Sequence, residues 1–296
     1  MTLIKDYYGD ETERKTYLSF YSEGENGKDR VVHRRLEDGD AYDAWHLSFY
    51  FREILAYKHL LGREDLAFQD IPRKEKNLLL YLLLLTSHKK TNIKLMELGS
   101  SLFELIEGLE LVEKFFLDKK SSIKLKEIEF IGIDISQELC FASKILHPGY
   151  NVTTFADVEQ ANFEIDFLYD RNVSSYAFTE AGEVASLLNL AEASLLNLFL
   201  SQGETFSSAR LGKKLTYFSR SDLVKQLNKP LFHLFGEKAP GPLSGESLDK
   251  GRPVLEGFFL CCEIAKAEEF MRIAHSIPEI STYFTEKNIK MHLLEG

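Results

Sequence analysis

The chain has 296 residues, 44% of them hydrophobic and 28% charged, the balance of an ordinary soluble protein large enough to bury a core without staples. A net charge of −10 argues against a nucleic-acid backbone as main partner, because phosphate binding is driven by Lys and Arg. Cys140, Cys261 and Cys262 are odd in number and lack C-x-x-C spacing, which excludes a disulfide framework and reads as reduced thiols in a cytoplasmic protein.

The first ten residues, M-T-L-I-K-D-Y-Y-G-D, carry no apolar run of the signal-peptide kind. Residues 1–30 are polar and read as an arm with one hairpin around E-G-E-N-G. From Tyr42 the spacing of Trp45, Phe49, Tyr50, Ile54, Tyr57 and Leu60 predicts a helix that Gly62 ends. Asp70, Ile71 and Pro72 read as the start of the next helix, which carries L-L-L-Y-L-L-L-L at 78–85. Lys76 on one side and His88, Lys89 and Lys90 on the other bracket that run. Crossing a bilayer takes about 20 apolar residues, so this is a buried helix and no membrane is expected as a partner.

Beyond residue 92 short apolar runs alternate with helical patterns. Strands are expected at 93–98, 128–134, 151–155, 165–169, 194–200, 231–235 and 254–262, with helices at 102–117, 137–146, 179–191 and 221–227. This alternation implies βαβ units in an α/β fold, a doubly wound, seven-stranded, mostly parallel sheet. The connection 236–253 holds four glycines and three prolines, so the last strand returns antiparallel. Residues 264–275 look helical, and Pro278 interrupts the tail.

Two strand ends attract attention. N-I-K-L-M-E-L-G-S-S at 92–101 ends in Glu97 and turns through Gly99 into a helix, and F-I-G-I-D-I-S at 130–136 ends in Asp134. A strand, a glycine turn and a helix N-terminus gather backbone N–H groups at one point. A carboxylate at the tip of the next strand suits the two hydroxyls of a ribose, although an acidic residue there would equally cap the helix that follows.

Seven strands, alternating helices and an antiparallel last strand resemble the class I S-adenosylmethionine-dependent methyltransferases. Glu97, Leu98, Gly99, Ser100 and Ser101 look like that family's first motif, although Ser101 and Phe103 stand where it usually repeats glycine. Gly132 to Ser136 is similar to the second motif, with Asp134 and Ile135 at the ribose. Asp157 and Val158 follow the third strand, where the family holds the adenine amino group, and 163–169 resembles the fourth strand, whose end at Tyr169 lines the transfer site. The resemblance implies S-adenosylmethionine as cofactor and a small-molecule methyl acceptor. Asp170 as base, with Arg171 or Tyr176 orienting the acceptor, are the catalytic candidates, against a reading in which all three serve the helix that follows.

A nicotinamide oxidoreductase is the competitor. Its G-x-G-x-x-G would fall on Gly99, Ser101 and Glu104, leaving one glycine and setting a carboxylate beside a pyrophosphate. A second alternative is an inactive methyltransferase-like binding or scaffold protein, which the depleted first motif allows. The eight histidines show no H-x-x-x-H spacing, so no metal site is expected. The cluster of Arg210, Lys213, Lys214 and Arg220 reads as a solvated basic face. The expected organisation is an N-terminal arm and helical lid region over 1–70, offering a surface for a homodimer, and a methyltransferase-like domain over 71–296.

Overall fold

The computed structural model describes residues 17–23, 29–35, 40–68, 71, 74–87, 90–116, 123–134, 136–155, 164–170, 173–210, 213–236, 245–249 and 252–295. Ile135, Asp157, Val158 and Arg171, named above, lie outside this set, as do Asp70 and Pro72 of the expected helix start, residues 24–28 and residues 117–122.

Two strands, β1 (Tyr17–Glu23) and β2 (Asp29–Arg35), pair antiparallel with Glu23 opposite Asp29, so the expected hairpin brackets E-G-E-N-G. Helices α1 (Asp40–Leu61) and α2 (Lys74–Leu85) follow. Then come β3 (Lys94–Leu98), α3 (Leu105–Phe116), β4 (Glu129–Ile133), α4 (Gln137–Leu146), β5 (Asn151–Phe155) and β6 (Ile165–Asp170). The chain continues through α5 (Ser174–Ala177), α6 (Ala181–Leu190) and β7 (Ala191–Ser201) to the hairpin β8 (Phe206–Arg210) and β9 (Lys213–Ser219). After α7 (Arg220–Gln226) come β10 (Leu231–Gly236), β11 (Gly245–Asp249) and β12 (Arg252–Cys261). The described chain closes with α8 (Ile264–Ser276), α9 (Pro278–Glu286) and β13 (Ile289–Leu293).

All seven expected strands are present in one α/β sheet, in the order β5-β4-β3-β6-β7-β12-β10, with β13 beyond β10. From β5 to β7 every neighbour is parallel, and β12 runs antiparallel to both β7 and β10, as the glycine- and proline-rich connection requires. Four further strands bring the sheet to eleven: β13, β11 along β12, and the β8–β9 hairpin, whose β9 pairs parallel with the end of β7. The tail also departs from expectation. Pro278 opens α9 at its first turn, where a missing N–H is tolerated, so the proline starts a helix here.

Alternation along the strands sends successive side chains to opposite faces. Leu95, Phe130, Phe167 and Leu195 pack with α2, α3, α8 and α9 on one face, while Met96, Ile131, Leu168 and Leu196 pack with α6 and Leu223 of α7 on the other. The 78–85 run is buried on every side, which explains a helix that lacks a polar stripe. Each such leucine stabilises the fold by roughly 1.5–3 kcal/mol. Helix α1 lies over α3 and α4. Tyr57 packs with Leu111 near its end, and Ile54 packs with Leu102 and Leu139.

Candidate functional site

The chain runs outward from β3 through β4 to β5, then returns to place β6 on the other side of β3. Connections leaving β3 and β6 go to opposite faces of the sheet, and in open α/β sheets the crevice at such a reversal, outside the carboxyl ends of the strands, is where ligands bind. Gly99, Asp134 and Asp170 stand at or just past the ends of β3, β4 and β6.

The loop after β3 is bent by its backbone. Gly99 has φ +65°, Ser101 +48° and Phe103 +60°, so three alternate residues occupy the left-handed region although only the first is glycine. The amides of Gly99 and Ser100 both donate to the carbonyl of Ile133, at 2.7 and 3.2 Å, extending the β3–β4 pairing past the strand end. The Phe103 amide donates to the Ser100 carbonyl at 2.7 Å, closing a tight turn. Phe103 then lays its ring over Gly132 and edge-on to Phe130, with ring centroids 6.2 Å apart, a favourable spacing for such a pair. A Cβ on Gly132 would collide with that ring and with Ser100 Oγ, which accounts for a glycine inside an apolar strand.

Asp134, 4% exposed, joins the two strand ends. Its Oδ2 accepts from the Ser101 amide at 2.9 Å and its Oδ1 from the Ser136 amide at 3.0 Å, while Ser136 Oγ caps α4 through the Leu139 amide at 3.1 Å. Asp170 behaves in a parallel way. Its Oδ1 accepts from the amides of Val173 at 2.7 Å and Ser174 at 3.3 Å, ordering the start of α5. Val173 fills the space where a Gly99 side chain would lie, so the loops after β3 and β6 touch at this glycine. Tyr176, half-buried, packs with Leu215, Tyr217 and Val254 against the β8–β9 hairpin.

Glu97 and Tyr169 are register partners on β3 and β6, both buried, and share the face on which α2 lies. Lys76, from the first turn of α2, reaches this region. Its Nζ lies 3.9 Å from Glu104 Oε1 and 5.8 Å from the centre of the Tyr169 ring. With Glu97, Glu104, Asp134 and Asp170 all buried, the rim is acidic and Lys76 is the cation seen to approach it among the described residues. The hydroxyls of Ser100 and Ser101 are buried with no hydrogen-bond partner among the described residues.

The structure thus brings together Glu97, Gly99, Ser100, Ser101, Asp134, Tyr169 and Asp170 along one rim, while Tyr176 packs against the β8–β9 hairpin. Sequence reasoning missed three residues that shape this rim: Gly132, Val173 and Lys76. A glycine inside F-I-G-I is a readable sign of close backbone approach. A lysine one turn ahead of a leucine run is a weaker sign, and Val173 offers none. No group of three or more His, Cys, Asp and Glu among the described residues is placed to hold a metal ion.

No protein-family model matches the chain, and no curated protein matches it. Among solved structures it is similar to the N-terminal domain of EvdMO1 in the presence of SAH and D-fucose, at 10% identity and TM-score 0.40, over 74% of this chain and 98% of that one. It is also similar to an S-adenosylmethionine-dependent methyltransferase from Clostridium acetobutylicum, at 9% identity and TM-score 0.42, over 73% and 99% of the two chains. A third is coclaurine N-methyltransferase bound to N-methylheliamine and SAH, at 8% identity and TM-score 0.39, over 69% and 68%.

Proposed function

We propose that this chain is an S-adenosylmethionine-dependent methyltransferase acting on a small-molecule acceptor. The observation that carries the reading is the loop after β3, left-handed at 99, 101 and 103, the alternate positions at which the resembled family usually places glycine. The backbone keeps a form that the side chains at two of those positions resist. The hydroxyls of Ser100 and Ser101, without a hydrogen-bond partner among the described residues, and the close approach that Gly99 permits, fit a polar ligand laid across the ends of β3 and β4.

The bound cofactor would supply a methyl group on a sulfonium, and an acidic rim suits that cation better than it suits a pyrophosphate. Glu97, Gly99, Ser100 and Ser101 are the described residues proposed to hold it, with Tyr169 lining the transfer end; Ile135, Asp157 and Val158 belong to the same proposal. On the acceptor side, Asp170 orders the turn at Val173 and Ser174 that leads to Tyr176, and Arg171 belongs to the same proposal. Transfer needs the acceptor lone pair in line with the methyl carbon and the sulfur, so ordering that turn is itself a contribution to rate. Residues 1–70 are proposed as the lid region. The contact of Ile54 of α1 with Leu102 of the loop supports this.

A second reading is a scaffold that retains the fold without catalysis. It is favoured by one observation, the burial of every residue from 100 to 109. Thermal melting alone, with S-adenosylhomocysteine and with NAD separates the readings. A ligand at 100 times its dissociation constant adds about 2.7 kcal/mol of stability, a readable shift. A shift with S-adenosylhomocysteine alone is the expected outcome. No shift with either ligand supports the scaffold, and a shift with NAD alone overturns the methyl-donor reading.

A further inference from the structure

Two non-glycine residues in the left-handed region, side by side with a glycine, need something to hold them there. Each such placement is strained for an ordinary side chain. Phe103 has an evident holder, since its ring is wedged over Gly132 and against Phe130. Ser101 has a different one. Its Oγ makes no hydrogen bond among the described residues, and its amide donates to Asp134 at 2.9 Å. The other oxygen of the same carboxylate is anchored by the Ser136 amide at 3.0 Å, and Ser136 is the N-cap of α4. The carboxylate therefore fastens the loop to the start of a helix, and at 4% exposure it turns both oxygens toward backbone.

We propose that Asp134 is a positioning residue that works through the 99–103 loop, supplying by a buried charge-assisted bond the conformation that glycine would have allowed at 101. Hydrogen bonds to a charged group are stronger than neutral ones, which offsets the strain of the left-handed serine. On this assignment Asp134 affects a ligand by shaping the loop amides and Gly99, and not by direct contact with ribose hydroxyls. The part that concerns ligand affinity rests on the adenosine reading of the site. The part that concerns the loop does not.

The test has two arms. The first measures amide hydrogen exchange at Ser101 in the wild-type protein and in Asp134→Asn, with Leu95 as internal reference. Protection at Ser101 should be strong in the wild type and fall by roughly 100-fold in the variant while Leu95 is unmoved. Fast exchange at Ser101 in the wild type overturns the proposal without need of any variant, so a variant that fails to fold does not rescue it. Ser101→Gly should stabilise the wild type and lose that benefit in the Asp134→Asn background, where the loop is no longer held left-handed. Equal benefit in both backgrounds overturns it. The second arm titrates adenosine and its dideoxy analogue, which lacks both ribose hydroxyls. Asp134→Asn should weaken the two by the same factor, within about threefold. A loss of about tenfold or more confined to adenosine assigns Asp134 to the ribose and sinks the proposal. If neither nucleoside nor S-adenosylhomocysteine binds the wild type, the adenosine reading of the site fails, and the exchange arm still decides the loop.

Discussion

At the rim where the parallel strands begin, Lys90 bridges Asp166 of β6 and Glu192 of β7, and Lys266 of α8 joins the same Glu192 at 2.6 Å to Ser87 Oγ at 3.0 Å. At the rim where they end, Asp134 and Asp170 accept backbone amides in near-complete burial. Both rims use carboxylates to tie neighbouring strands, but water separates their worth. Exposed pairs contribute about 0–1 kcal/mol and weaken with salt. A buried carboxylate that satisfies two amides cannot be removed without leaving both amides dry. Rigidity is thus concentrated on the rim where a ligand would lie.

The largest effect that would test this contrast is expected from Asp134→Ala, which strands the amides of Ser101 and Ser136 and should lower stability by about 3 kcal/mol in urea unfolding. Asp170→Ala should follow closely, at about 2 kcal/mol. Gly132→Ala sharpens the comparison by leaving the carboxylates alone. Its Cβ must displace the Phe103 ring, at about 2 kcal/mol, and Phe103→Leu in the same chain should recover part of the loss. Acid probes a buried group away from both rims. His233, stacked on Phe259 in β10 and β12, is pulled down to about 4, chiefly by burial and further by His292. Its folded value lies below the unfolded one near 6.5, so the folded protein binds fewer protons between them. The stabilisation is full above about 6.5 and falls away as pH drops toward 4, and His233→Phe should flatten that part of a stability–pH curve. Smallest of all, Lys90→Ala should change stability by less than about 1 kcal/mol, and the change should shrink in high salt. A loss at Lys90 as large as that at Asp134 would remove the contrast.

What the sequence revealed follows from how local each signal is. The seven apolar runs were legible because a buried strand announces itself within five or six residues, and the antiparallel return of β12 followed from a connection too rich in glycine and proline for a crossover helix. The β8–β9 hairpin was hidden because its polar residues read as a solvated basic cluster, while Leu215 and Tyr217 bury the other face. Strand β11, G-E-S-L-D, has little apolar character and takes its form from β12 beside it. Pro278 was read as an interruption, and only its position in the first turn of α9 gives it the opposite meaning. At the rim, Gly99, Asp134 and Asp170 were found because strand ends are predictable. The direction in which the carboxylates bond was not, because the partner of Asp134 lies 33 residues away, at Ser101. Phe103, standing where the resembled family usually repeats glycine, is fully buried.

Helix α2 has a consequence for how the protein is made. Its seven leucines and Tyr81 are buried on one side by α8 and α9, where Phe270, Ile273 and Phe284 lie and where Tyr283 bonds Glu75 at 2.8 Å. Those helices leave the ribosome roughly 180 residues later, a wait of about 10 to 40 s at ordinary synthesis rates. Throughout that interval the nascent chain carries a greasy cylinder bare on the side that α8 and α9 will cover, a binding site for chaperones and a seed for aggregation if they are scarce.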